Sequence, residues 1–279
     1  NVNNASKFSP GDEILIIQMQ NSSNGLSGQN EFAYIASIDG SDVTLQSPLS
    51  HSYYSGTFNT SGSTNTQVIK VPNYNTLTIQ TGASITAPAW NGWIGGIVVF
   101  KTKNNLNVSG TIDVTGKGYR GGRDGVYTNL QNLQGESIHR LGTYSNSGNI
   151  GGGGAGCHDG ESGCQAGASG GGGGYGATGQ TGSGAPQGQG DGGDGGSQYG
   201  NSNLEQQLLL GSGGGGGGDD NAVFNPGRGG TGGGIVLIRA ENINVSGTIV
   251  SNGSKGGDSD SQWAGSGGGG SGGSIHLIS

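Results

Sequence analysis

The chain has 279 residues, of which 67 are glycine, and its formal net charge is −7 with only 10% charged residues. Glycine costs about 1 kcal/mol inside a helix relative to alanine, which excludes a helical bundle, and the 6 prolines are too few for collagen. No apolar run approaches the roughly 18 residues of a membrane-spanning helix, and an acidic chain has no electrostatic basis for binding nucleic acid. We therefore expect an all-β protein with neither membrane insertion nor a nucleic-acid partner.

Residues 1–65 are predicted to form a small N-terminal β module. Residues 14–17 are a continuous run of Ile and Leu, which is typical of a buried strand. Residues 32–38 form a second apolar run. The turn signal Asp-Gly-Ser-Asp over residues 39–42 then leads into a return strand over residues 43–45, which predicts a hairpin.

Short β-branched runs recur about every 7 to 10 residues in the next part of the chain. Connections rich in Gly, Asn, Ser and Pro separate them. Even spacing of short strands is typical of a parallel β-helix or solenoid. The runs occupy residues 68–71, 77–79, 85–87, 97–100, 106–108 and 111–115.

An internal repeat supports the β-helix. Residues 96–101 (Gly-Ile-Val-Val-Phe-Lys) match residues 234–239 (Gly-Ile-Val-Leu-Ile-Arg), and residues 107–112 are identical to residues 244–249. A third copy begins at Gly272. Each copy is one unit that must stack on a neighbour to bury its apolar face. The predicted rungs occupy residues 66–116 and 233–279.

Two glycine-rich excursions leave the predicted rungs, a long insertion over residues 117–232 and a shorter one over residues 254–271. Ordering the long insertion costs backbone entropy on the order of 100–200 kcal/mol, and few apolar side chains offset it. Glycine recurs at every third residue at Gly176, Gly179 and Gly182, which is the period of a polyproline-type helix. We expect a polyglycine-II-like insertion held by backbone hydrogen bonds, and a disordered Gly/Ser linker is the alternative.

The chain has two cysteines, Cys157 and Cys164, in a loop rich in Gly and Ser that closes easily. A local disulfide is the favoured interpretation, and it implies an oxidising, extracytoplasmic setting. Two free thiols are the alternative. A zinc site with His158 is less favoured, because no second pair of ligands stands at the required spacing.

No motif in the sequence points to catalysis. The 4 histidines have no Ser, Asp or Cys partner at a known catalytic spacing. The carboxylates of Asp219, Asp220, Asp258 and Asp260 could offer oxygen ligands to calcium, but solvated turn carboxylates are the favoured interpretation. A polysaccharide hydrolase or lyase that uses carboxylates on one face of a β-helix is an alternative. We predict no catalytic residue, no metal site, no cofactor and no enzymatic activity.

The three tryptophans are candidates for binding glycans. Trp90 and Trp93 lie between two predicted strands, and Trp263 lies in the shorter excursion. Exposed aromatic rings could stack on sugars. The alternative is that these rings cap the core where an excursion leaves the rungs.

Several segments resemble known proteins. Residues 8–20, 86–96 and 110–122, together with the internal repeat, resemble a group of glycine-rich bacterial surface and secreted proteins of the gliding-motility and adhesion type. The resemblance implies a secreted or surface-exposed protein that is often part of a much longer chain. The glycine-rich insertion also resembles the tip adhesins of phage tail fibres, whose glycine-rich helices form a rigid sandwich. Neither resemblance implies a catalytic residue.

The end of the chain suggests how copies could assemble. It starts at Asn1 rather than Met and ends in an apolar run containing Ile275, Leu277 and Ile278, which suggests a processed protein or a piece of a longer one. A β-helix leaves unpaired backbone groups at its ends, and end-to-end pairing of this strand would produce a filament. We expect an extracellular or cell-surface structural protein that assembles into a filament, sheath or matrix with itself as partner. The alternative is a cell-surface or phage-fibre adhesin that binds surface glycans without polymerising.

Overall fold

The computed structural model describes residues 2–21, 26–56, 64–123, 134–138, 145, 147–157, 167–188, 190–219 and 224–279. Apart from two short 3₁₀ turns, Ala5–Lys7 and Pro186–Gly188, the regular elements of these residues are strands. The predicted all-β class is confirmed.

The N-terminal strands form an antiparallel sheet of four, in the order β3-β2-β1-β4. These strands are β1 (Glu13–Asn21), β2 (Asn30–Asp39), β3 (Asp42–Leu45) and β4 (Thr64–Lys70). β1 is buried along its whole length, as its run of Ile and Leu predicts. From the sequence, the β-helix is predicted to start at residue 66. That boundary falls inside β4, which pairs with β1, because the run around Val68 continues the N-terminal sheet.

The remaining strands pair in parallel. They are β5 (Asn73–Tyr74), β6 (Leu77–Ile79), β7 (Ser84–Ile85), β8 (Ile97–Val108), β9 (Thr111–Asp113), β10 (Ile235–Val245), β11 (Thr248–Val250) and β12 (Ser274–Ile278). One sheet has the order β12-β10-β8-β5, with β6 also on β8, and the other has the order β11-β9-β7. β8 is one continuous strand where the sequence predicts two short ones.

The internal repeat places identical residues side by side. Asn244 pairs with Asn107 and Thr248 pairs with Thr111, and the amide of Asn244 donates to that of Asn107 at 3.2 Å. The register between β8 and β10 shifts at a bulge between Ala240 and Asn242. This bulge accounts for the offset between the repeat copies, which changes by one residue along the sequence.

The larger parallel sheet is buried on both faces, because alternate side chains point to opposite sides. Ile97, Val99, Ile235 and Leu237 meet Leu15, Ile17 and Met19 of β1 in one apolar cluster. The intervening residues Val98, Phe100, Val236 and Ile238 pack against Ile112 and Val114 in a second cluster. Near-continuous Val and Ile runs are typical of strands buried in this way.

Beside this core lies a set of non-strand segments joined by backbone hydrogen bonds, which we name the glycine bundle. Its segments are 116–122, 134–136, 148–157, 167–184, 190–199, 208–219, 227–234, 251–257 and 265–273. Residues 211–218 occupy its centre and are buried throughout. Their N–H groups donate to Glu136 and to segments 168–171 and 227–233, and their carbonyl groups accept from segments 119–122, 153–156 and 265–271.

The bonds of this central segment repeat every third residue. Along one side, the nitrogens of Gly211, Gly214 and Gly217 donate to the carbonyl oxygens of Gly233, Gly230 and Gly227 at 2.8, 2.9 and 2.9 Å. Because neighbours surround the segment, a Cβ added at Gly211, Gly214 or Gly217 would meet the backbone of another segment, whereas the side chain of Ser212 has room and its hydroxyl bonds to Tyr199. A Cβ at Gly215 would lie 1.8 Å from the carbonyl oxygen of Gly154. This close approach explains why residues 213–218 are six consecutive glycines.

Candidate functional site

The predicted assembly strand lies at an open edge. Within the described residues, β12 ends the larger parallel sheet and pairs only with β10. Ile275 packs on the cluster of Val98 and Ile278 on the cluster of Ile97, while Leu277 is 38% exposed. The strand therefore continues both apolar layers of the sheet and offers its free edge to a further strand.

The opposite end of the stack is offset from β12. β12 lies beside residues 235–239 of β10, which in turn pair with residues 97–101 of β8. At the other edge of β8, β5 pairs at residues 101–102 and β6 at residues 106–108. β12 therefore lies near the start of the long strands, whereas β5 and β6 lie near their middle and end.

Trp90 and Trp93 are buried, with 3% and 6% of their surface exposed. The Trp90 indole donates from Nε1 to Glu136 Oε2 at 3.1 Å, and its ring meets Tyr119 edge-on, with 5.8 Å between centroids. Neither ring has a face open to a sugar, which corrects their assignment as stacking candidates and favours the capping alternative. Trp263 is only partly buried, against the cluster of Cys157 and Ala185.

Glu136 forms a buried polar centre that sequence patterns do not reveal. Its side chain is fully buried and accepts from Arg120 Nε at 2.8 Å and Arg120 Nη2 at 3.2 Å. It also accepts from Gln20 Nε2 at 3.1 Å, in addition to Trp90. One carboxylate thus ties the N-terminal sheet and the Trp90 loop to the glycine bundle, which points to a structural role.

Cys157 is fully buried and disulfide-bonded. The sequence has one other cysteine, Cys164, which lies outside the described residues. The sulfur therefore belongs to the packing of the bundle, where Cys157 contacts the apolar cluster of Ala168 and Ala185.

Carboxylates proposed for calcium have other contacts. Asp258 pairs with Lys255 at 2.7 Å. Asp260 accepts from the backbone and side chain of Asn225, bonds that lower the pKa of its carboxyl. Asp220 lies outside the described residues. Across the described ranges, no three His, Cys, Asp or Glu side chains are grouped so as to hold a metal ion.

The described residues also include no helix of the length and apolar character needed to cross a membrane.

Two tyrosines, Tyr119 and Tyr199, are buried, and burial changes the pKa of their hydroxyl groups. Tyr119 donates its hydroxyl to the carbonyl of Met19, and Tyr199 donates to that of Leu210. Burial raises the pKa of both phenols well above the usual value of 10.0, since an ionised phenolate would lie in a desolvated site. Folding therefore favours the protonated phenols.

This burial predicts alkaline unfolding. Below the unfolded pKa of about 10 the free energy of unfolding keeps its full value, and above it stability falls, because only the unfolded chain releases these protons. Each tyrosine contributes up to about 1.4 kcal/mol per pH unit. The melting temperature should fall steeply above about pH 10, and Tyr199→Phe should make that fall shallower. Tyr54→Phe, at a 44% exposed tyrosine, is the control. Equal slopes for all three proteins would contradict the prediction.

Comparison of the chain with protein-family models, curated proteins and solved structures gives no match in any of the three.

Proposed function

We propose that this chain is an extracellular structural protein that assembles with copies of itself through the free edge of β12. The observation that carries the proposal is the position of β12 at the open end of a stack of parallel strands, with Leu277 exposed. An exposed apolar strand edge is a template for pairing with another chain. The low density of charge, 10% of residues, offers little repulsion against such pairing.

Within this proposal the parallel strands are the rungs of a short β-helix. The parallel pairing of β8 with β10, of β9 with β11 and of β7 with β9 supports it. The long insertion is proposed to be polyglycine-II-like. The three-residue repeat of the hydrogen bonds around residues 211–218 supports that assignment, because a polyproline-type helix has three residues per turn.

The bundle suits a structural subunit. Its segments are held by many backbone hydrogen bonds of 2.7–3.3 Å and need few apolar side chains. The disulfide at Cys157 fits an extracellular location, where disulfides persist.

The direction of the strands favours a filament over a closed dimer. All strands of the larger sheet are parallel, so pairing β12 with the β5–β6 end of the next copy continues the same sheet. This contact is heterologous and does not close. Because the two ends are offset along the strands, successive copies should be staggered.

The adhesin hypothesis keeps one aromatic candidate. Trp263 is partly exposed beside the Cys157 cluster, whereas Trp90 and Trp93 are buried. Glycan binding without polymerisation would therefore depend on Trp263, and Trp263→Ala should abolish it.

Leu277→Lys should block assembly, because a charged edge residue opposes strand addition at little cost to the fold of an exposed position. Light scattering and sedimentation velocity should show the critical concentration for assembly raised at least about tenfold. Ser197→Lys is the matched control, since it adds the same charge at an exposed site of the glycine bundle. Assembly of Leu277→Lys at the wild-type concentration would overturn the role of β12.

A further inference from the structure

Among the described residues, one segment of the glycine bundle has no neighbouring segment on one side. Residues 167–174 donate their N–H groups in three directions, to segments 151–157, 180–183 and 263–269. Their carbonyl groups accept from segments 193–196 and 215–218. Around a helix with three residues per turn, donors and acceptors alternate, so a third accepting direction remains.

That third direction is open. No described residue donates a backbone hydrogen bond to the carbonyl oxygens of Gly167, Gly170 or Gly173, which recur every third residue. Each of the three donates its N–H to segment 263–269, at 2.9–3.0 Å, so only the acceptors are unused. A regular row of backbone acceptors with no partner in the described residues is available to the N–H groups of a further chain.

A groove lies on this side of the segment. Gly170 and Gly173 lie in its floor, and segments 177–183 and 266–273 form its walls. Both walls bond to the floor segment, so the groove occupies the position of the missing neighbour. All the residues that line it are uncharged. Within the described residues, the N–H groups of Ser266, Gly269 and Gly272 on one wall also have no backbone acceptor.

The bundle itself indicates which kind of chain fits such a position. Segment 190–199 also borders the floor segment and the 177–183 wall, and its residues 191–196 are two Asp-Gly-Gly repeats. Its Asp191, Asp194 and Ser197 are exposed. The glycines between them face neighbours, and a Cβ at Gly195 would lie 1.9 Å from the carbonyl oxygen of Gly179.

We propose that the groove binds a glycine-rich polypeptide of x-Gly-Gly repeat, which completes the bundle as an added segment. Its N–H groups donate to the carbonyl oxygens of Gly170 and Gly173, its glycines face the floor and the two walls, and its x side chains point to solvent. Recognition resembles the addition of a strand to a sheet edge, with backbone bonds giving affinity and the absence of Cβ atoms giving specificity. The inference depends on the bonding of the bundle and not on assembly at β12.

A labelled peptide of about three to four Asp-Gly-Gly repeats tests this proposal, because a rise of about 3.1 Å per residue lets it span the groove. Fluorescence anisotropy should show saturable binding to the whole protein, and the ¹³C carbonyl shifts of Gly170 and Gly173 should change with it. An Asp-Ala-Gly peptide of equal length and charge should bind at least about tenfold more weakly.

Variants of the protein locate the binding. Gly172→Leu should abolish it by filling the groove, since a Cβ at Gly172 would lie between the two walls, 3.3 Å from the nitrogen of Gln180 and 3.7 Å from the carbonyl oxygen of Gly269. Ser197→Leu, on the outer side of segment 190–199, and Leu277→Lys, at β12, should both bind the peptide as the wild type does. Absence of saturable binding, or equal binding by the Ala peptide or by Gly172→Leu, would overturn the inference.

Discussion

Replacing Gly215 by alanine is expected to disrupt the glycine bundle, whereas the same change at Gly176 should be tolerated. The added Cβ at Gly215 would lie 1.8 Å from the carbonyl oxygen of Gly154, while no atom lies within 4 Å of a Cβ at Gly176. Neither glycine has a positive φ, so the two sites differ in space and not in backbone strain. Alanine at an open site can stabilise by about 0.4–1 kcal/mol through the unfolded chain.

The two changes should therefore have effects of opposite sign. Overpacking in an interior costs about 1–3 kcal/mol and more where backbone must move, and here the clash is with backbone. We expect Gly215→Ala to lower the melting temperature by about 10 °C or more, or to prevent folding. Gly176→Ala should melt at the wild-type temperature or slightly above. Equal melting temperatures for Gly215→Ala and the wild type would contradict close packing at the centre of the bundle.

Glu136→Ala is expected to be the most damaging change among the charged residues. It would leave the guanidinium of Arg120 without its ion-pair partner and the Trp90 and Gln20 donors without their acceptor. Removing one partner of a buried pair costs about 3–5 kcal/mol, because the other charge remains desolvated. Since the Arg120 side chain is 26% exposed, we expect the lower part of that range.

The control for this prediction is an exposed pair. Lys255 and Asp258 also form an ion pair, but their side chains are 78% and 75% exposed. Asp258→Ala should change the melting temperature by at most about 2–4 °C, since surface pairs contribute little. Glu136→Gln, which keeps the shape and one acceptor, should fall between the two. Similar melting temperatures for Glu136→Ala and Asp258→Ala would contradict the role of Glu136 in joining the sheet to the bundle.

The stacked strands could be predicted from the sequence because each is encoded by a short local pattern that recurs later in the chain. Asn107 and Asn244 stand in identical hexapeptides, and the structure pairs them directly. The three-residue spacing of Gly176, Gly179 and Gly182 corresponds to close packing at two of its members: Cβ atoms at Gly179 and Gly182 would clash with Gly172 and Ser169, whereas Gly176 has open space around it. In both cases a short period in the chain corresponds to a period in the hydrogen bonding.

Other features depend on contacts that no local pattern records. The run around Val68 has the same composition as the later strands, and only its pairing with β1 assigns it to the N-terminal sheet. Glu136 lies in a polar stretch and is buried by Gln20, 116 positions away, and by Trp90. The same contact buries Trp90, so its exposure could not be judged from the sequence alone.

Electron microscopy of the purified wild-type protein at neutral pH tests the central proposal, assembly through β12, most directly. The proposal predicts regular filaments in which successive copies are staggered and β12 of one copy meets the β5–β6 end of the next. Discrete monomers or closed dimers at every concentration examined would contradict it.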